Sequence, residues 1–252
     1  MDTAKGVPTR LTFSSQERPE NRFFAWSPDS RRFAYSSGSA RAHREIYIKS
    51  ADGSGEAELV YKGSRDMGVL SWSGDGNSLL FFENNEKTAT DLLILPLNAK
   101  RPEPSPMAYL QTQFTEAAAQ FSPDSKSRWV TYISNESGTN EVYVQSNPRG
   151  GGKFQLSTGG ARGPRWSRDG KKIFYNSPDA TAVYEVTIKT ERKFEAELPR
   201  LAVRGGADAA SLGTYPNFDV MPDGRLLMTA ASDAAPAPKI TVVVNWTAGL
   251  QK

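Results

Sequence analysis

The residues of this chain whose type and spacing could do chemistry are five aspartates at near-regular intervals: Asp29, Asp75, Asp124, Asp169 and Asp223. They stand 46, 49, 45 and 54 residues apart. A ring of carboxylates suits two tasks, holding a metal ion or moving a proton. Each one, however, sits in the same short phrase: Trp26-Ser27-Pro28-Asp29, Trp72-Ser73-Gly74-Asp75, Phe121-Ser122-Pro123-Asp124, Trp166-Ser167-Arg168-Asp169 and Val220-Met221-Pro222-Asp223. A small residue follows every time: Ser30, Gly76, Ser125, Gly170 and Gly224. Aspartate accepts backbone N–H groups in tight turns, and glycine takes a positive φ there. Asymmetric catalysis has no need of the same acid in every repeat, so the aspartates read as turn residues and no metal ligand is assigned.

Other chemistry is thinly supplied. With no cysteine there is no thiolate, disulfide or iron–sulfur ligand, and one histidine, His43, rules out a two-histidine metal site. His43-Arg44-Glu45 has the look of a kinase catalytic loop, but no Asp-Phe-Gly or glycine-rich loop accompanies it. As the base of a hydrolase triad His43 would need a Gly-x-Ser-x-Gly elbow, which is missing. Arg149-Gly150-Gly151-Gly152-Lys153 lacks the spacing of a phosphate-binding loop and reads as a turn. The formal net charge of +3 is weak for a nucleic-acid binder. The longest apolar run near the C-terminus, Ile240 to Val244, is far too short to span a bilayer. The first residues, Met1-Asp2-Thr3-Ala4-Lys5-Gly6-Val7-Pro8, have no apolar core for a signal peptide. The expectation is a soluble, non-enzymatic chain without cofactor, nucleic-acid partner or membrane insertion.

The elements that must carry these residues are strands. Each turn is preceded by a short apolar run such as Phe24-Ala25-Trp26. It is followed by an aromatic one: Phe33-Ala34-Tyr35, Leu79-Leu80-Phe81-Phe82, Trp129-Val130-Thr131-Tyr132, Ile173-Phe174-Tyr175 and Leu226-Leu227-Met228. Third runs begin at Glu45, Asp91, Glu141, Val183 and Ile240, and fourth runs at Glu58, Met107, Phe154 and Arg200. These are β-branched and aromatic stretches between Gly, Pro, Asn and Asp clusters. Four strands per repeat make the blade of a β-propeller. The spacing predicts an all-β, single-domain propeller of five four-stranded antiparallel blades, at 18–62, 63–113, 114–159, 160–205 and 206–246. The fifth lacks a fourth strand, which 8–14 (Thr9-Arg10-Leu11-Thr12-Phe13) supplies by pairing beside Ile240–Val244 and closing the ring. Trp26, Trp72, Phe121 and Trp166 are assigned to packing between blades.

These phrases resemble the TolB-type WD-like propeller repeats of bacteria, across nearly the whole chain. Asn140-Glu141-Val142-Tyr143-Val144, Pro164-Arg165-Trp166-Ser167-Arg168-Asp169-Gly170 and the end Ile240-Thr241-Val242-Val243-Val244-Asn245-Trp246 look like the C-terminal propeller of large sensor proteins of acidobacterial type, serine/threonine kinases or winged-helix regulators. The resemblance implies a sensory or protein-binding module beside a separate output domain, extracytoplasmic if the parent is a membrane kinase. Family propellers commonly have six or more blades, so five repeats are either a shortened ring or the end of a longer one.

Ligand contact is expected where blades differ, on the loops that lead into the first strands. The residues there are Glu20, Asn21, Arg22, Arg65, Asp66, Glu116, Arg162 and Tyr215. Their mixed charge suits a protein, a peptide or a small polar ligand bound by a monomer. The alternative is a propeller hydrolase or lyase that uses the channel carboxylates.

Overall fold

The computed structural model describes residues 10–12, 20–38, 44–98, 105–190, 193–205 and 215–228. The described residues are all-β. Four sheets are antiparallel meanders in which each strand pairs with the next: β1(Glu20–Trp26) to β4(Glu58–Lys62), β5(Met67–Trp72) to β8(Met107–Leu110), β9(Glu116–Phe121) to β12(Lys153–Gln155), and β13(Arg162–Trp166) to β17(Arg200–Arg204). In the last, both β16(Glu195–Ala196) and β17 pair with β15(Ala182–Lys189). A fifth sheet is described as the hairpin β18(Phe218–Val220) and β19(Leu226–Met228). Of the segment expected to close the ring, 10–12 is described and 240–244 is not. His43 also lies outside the described residues.

The repeated turn joins the first strand of each sheet to the second. Ser73 Oγ donates to Asp75 Oδ1 (2.6 Å) while accepting the N–H of Ser78 (2.9 Å), and Asp75 Oδ1 accepts the N–H of Asn77 (2.9 Å). Ser27 with Asp29, and Ser167 with Asp169, repeat the set. The backbone turns through positive φ at Ser30, Gly76, Gly170 and Gly224. The aspartates are therefore spent on their own hairpins. The same Ser–Asp turn also forms at Ser177 and Asp179, at the opposite end of the sheet, between β14(Lys172–Asn176) and β15.

The core lies between sheets. One apolar cluster joins the first two sheets around Ile46, Val69, Trp72 and Phe81. A second joins the next pair around Phe82, Leu92, Phe121 and Tyr132, and a third gathers Ile133, Val142, Trp166 and Tyr175. The fourth joins Phe174 and Val183 to Phe218 and Val220. Trp72, Phe121 and Trp166 are buried as expected, whereas Trp26 is half-buried. The first strands are innermost: β1 packs on β5, β5 on β9, β9 on β13, and β13 on β18.

Each inner strand is kinked near its start. A bulge interrupts pairing with the second strand in all four full sheets. Phe23 (φ 48°), Ala118 (φ 50°) and Gly163 (φ 50°) occupy it, each six residues before its hairpin aspartate. Phenylalanine and alanine in that region carry steric strain. The kink turns the Phe23 ring against Phe82 of the next sheet, edge-on at 4.9 Å, and against Tyr215 at 5.6 Å. Gly68 makes room for it, since a Cβ there would lie 2.5 Å from the Phe23 ring and 2.4 Å from Phe82.

Candidate functional site

The end of the propeller at which the inner strands start carries two sets of loops, those into first strands and those joining second to third strands. Carboxylates tie the two sets together. Asp91, at the start of the third strand β7(Ala89–Pro96), accepts Asn85 Nδ2 (3.1 Å), Thr88 Oγ1 (2.9 Å) and Gln111 Nε2 (3.1 Å) on one oxygen. Glu141, at the matching place in β11(Glu141–Ser146), accepts Thr139 Oγ1 (3.0 Å), Ser157 Oγ and the N–H of Gly160 (2.7 Å). This role is not carried by any of the repeated motifs. Its signal is an acid opening the third strand in consecutive repeats.

Of the eight expected site residues, Arg65, Asp66 and Glu116 are engaged by neighbouring side chains. Asp66 is paired with the buried Arg44 and accepts Asn84 Nδ2 at 3.0 Å. Arg65 bridges to Glu83 at 2.8 Å. Both pairs tie the loop before β5 to neighbouring strands, and the Arg65 side chain stays exposed. Glu20 opens β1 and Asn21 and Arg22 follow it; Asn21 is half-buried and Arg22 exposed. Arg162 is half-buried at the start of β13.

Glu116 is different. It lies at the start of β9, 1% exposed, where the matching residues are Asn21, Met67, Ala161 and Tyr215. Thr90 and Thr115 bridge in parallel, so Asp91 and Glu116 are the next residues on two adjacent strands. One Glu116 oxygen accepts Thr112 Oγ1; the other, like Asp91 Oδ1, is buried without a partner. Burial, with Asp91 and Glu136 nearby, pushes the Glu116 carboxyl up to about 7 against the pull of Thr112. Glu136 itself is paired with Lys153. Among the described residues no group of three or more Asp, Glu, His or Cys is placed to hold a metal ion.

Deeper along the inner strand β13 lies Arg165, which is not among the eight expected residues. It is half-buried and donates from Nη1 to the Pro164 carbonyl at 3.0 Å. Burial pulls its guanidinium below the ordinary arginine value, opposed by Asp219 and by Tyr215. Tyr215 is half-buried between Phe23 and the core joining the third and fourth sheets. Burial raises its hydroxyl well above the usual tyrosine range, with Arg165 pulling the other way. So the approach to β18 and β1 bring a phenol and a phenyl ring together against the core of the third and fourth sheets.

The fold is that of a TolB-like β-propeller. The structure is similar to the putative TolB from Agrobacterium tumefaciens (TM-score 0.60, 17% identity, covering 86% of this chain and 76% of that one). It is similar to TolB from Acinetobacter baumannii (TM-score 0.61, 17% identity), covering 85% of this chain and 49% of that one, about half its length. An oligogalacturonate lyase in complex with manganese also matches (TM-score 0.60, 10% identity), covering 86% of this chain and 63% of that one. No family model matches the sequence, and no curated protein does. Similarity at this level of identity concerns the fold alone. Among the described residues no helix is long and apolar enough to cross a membrane.

Proposed function

We propose that this chain is a non-enzymatic binding propeller for a protein, a peptide or a small polar ligand, acting as a sensor module of a larger signalling protein. One observation carries the reading. Polar groups that break the five-fold repeat collect where the inner strands start and along their inner faces, while the repeated aspartates are consumed by hairpins. The likeness to TolB propellers supports the scaffold. The ligand-facing residues are those of the inner strands and their approach loops, with Glu20, Asn21, Arg22, Arg162 and Tyr215 at the rim. Arg65 and Asp66 serve that surface by fixing its loops.

A second reading rests on Glu116. A carboxyl held near 7 beside a second carboxylate is an arrangement that general acid–base enzymes use. It makes the chain a hydrolase or lyase. The test is a thermal-shift screen of the chain with peptides, sugars and organic acids, followed by assay of every hit for turnover. Binding without turnover supports the sensor reading. Turnover that Glu116→Gln abolishes replaces it with the enzyme.

A further inference from the structure

Asp91 and Glu116 meet at the seam between the second and third sheets, and the neighbouring seams handle the same places differently. Glu45, Asp91 and Glu141 hold matching positions in the third strands. The first-strand residues of the next sheet, each eight before its hairpin aspartate, are Met67, Glu116 and Ala161. Glu45 is paired with Lys62 at 3.0 Å, and the buried Arg44 beside it is paired with Asp66. Glu141 has both oxygens filled, by Thr139, Ser157 and the N–H of Gly160. Asp91 has neither arrangement. Its three donors are neutral and share Oδ2, and across the seam stands a second acid. Contacts fix the two acids side by side. The Thr90–Thr115 bridge joins strands that lie about 4.8 Å apart, with residues in register on one face. Gln111 and Thr112, consecutive in the chain, donate one to each acid, Gln111 Nε2 to Asp91 Oδ2 (3.1 Å) and Thr112 Oγ1 to Glu116 Oε1. Asp91 is 2% exposed and Glu116 1%, and Asp91 Oδ1 and Glu116 Oε2 are sealed from solvent with no donor. Among the described residues no lysine or arginine pairs with either acid; Lys153 is taken by Glu136. Two buried like charges are costly unless a positive charge joins them.

We propose that Asp91 and Glu116 form a site for a divalent metal cation between the second and third sheets, with Asp91 Oδ1 and Glu116 Oε2 as its charged ligands. Two carboxylates balance the charge of such an ion. Oxygen ligands select Ca2+, Mg2+ or Mn2+ over ions that seek thiolate or imidazole. The hydroxyls of Thr88 and Thr112, each already bonded to one of the acids, supply neutral oxygens in place of a third acid. Metal–oxygen distances of about 2.0–2.6 Å are shorter than hydrogen bonds, so a bare ion suits oxygens that solvent does not reach. The cation does at this seam what Arg44 and Lys62 do at the first. It clamps β7 to β9 at the end of the propeller where the inner strands start. The site stands independently of the binding-module reading.

The test is calorimetric titration of the full, chelator-treated chain with calcium, magnesium and manganese chlorides, and with potassium chloride for comparison. It is run at pH 8, above the Glu116 value of about 7, with a thermal melt at each end point. At least one divalent ion is expected to bind once per chain and to raise the melting temperature, with potassium binding at least tenfold more weakly. Glu116→Gln and Asp91→Asn are each expected to weaken the divalent ion by about tenfold or more and to remove its effect on the melt. Glu185→Gln, which removes an acid paired with Lys172 on another sheet, is expected to leave the affinity within about twofold of wild type. Should Asp91→Asn not give a cooperative melt, Glu116→Gln, which keeps an acceptor for Thr112, decides the matter alone. Three results overturn the site: none of the three divalent ions binds, several bind weakly per chain without moving the melt, or the bound ion survives in Glu116→Gln. Each of these leaves the binding-module reading standing, because that reading is tested with organic ligands.

Discussion

At the scale of single residues, Glu116 makes the sharpest prediction. Its carboxyl is raised from 4.5 to about 7, so the folded chain holds a proton that the unfolded chain gives up between those values. The contribution to stability is present in full below pH 4.5 and is lost as the pH rises through 7. Glu116→Gln keeps an acceptor for Thr112 and cannot ionise. It is expected to match wild type near pH 4.5 and to exceed it at pH 8 by up to about 3 kcal/mol, read from urea melts across that range. Unchanged pH dependence in the variant would contradict the assignment. The sequence exposed Glu116 as a residue that breaks the repeat. It did not expose the like charge beside it, because Asp91 is 25 residues away and meets it through a bridge between sheets. Arg165 escaped notice for a related reason. An arginine next to a core tryptophan reads as solvent-facing, but Arg165 is half-buried at the position where Ser71 and Gln120 latch the neighbouring sheet.

At the scale of the element, hairpins were legible and bulges were not. Ser–x–Asp followed by a small residue has a local cause, because the hydroxyl and carboxylate complete the turn by themselves. The left-handed kinks at Phe23 and Ala118 have no local signature. Packing between inner strands imposes them on residues that would not choose them. Gly68→Ala puts a methyl into the rings of Phe23 and Phe82 and is expected to cost about 1–3 kcal/mol. Adding Phe23→Leu to Gly68→Ala is expected to cost less than the two single changes together, because the smaller side chain makes room for the methyl. Strict additivity in a double-mutant cycle would sink that account. The sheet-to-sheet latch is tested by Gln120→Ala, which strands the N–H of Trp166 and is expected to cost about 1–3 kcal/mol in denaturant titration. A loss below about 0.5 kcal/mol would mean that the latch is incidental.

For the whole molecule, the apolar clusters between successive sheets make each sheet depend on its neighbours. The strand order of the four full sheets and the hairpin of the fifth could be read from spacing alone, because the hairpin phrase fixes where each sheet begins. The ion pairs that engage the approach loops could not. Charges chosen for standing on loops into first strands, Arg65 and Asp66 among them, turn out to be engaged by strands of the adjoining element. We expect the chain to act alone: light scattering between about 10 and 200 μM should return the mass of one chain throughout. A mass that climbs with concentration would point to association through sheet edges. The central claim, binding without chemistry, is tested most directly by incubating the wild-type chain with each ligand found in the screen and recovering that ligand for mass spectrometry. The account predicts that every ligand returns intact while it raises the melting temperature. Recovery of a cleaved or rearranged product, with its formation stopped by Glu116→Gln, would contradict it.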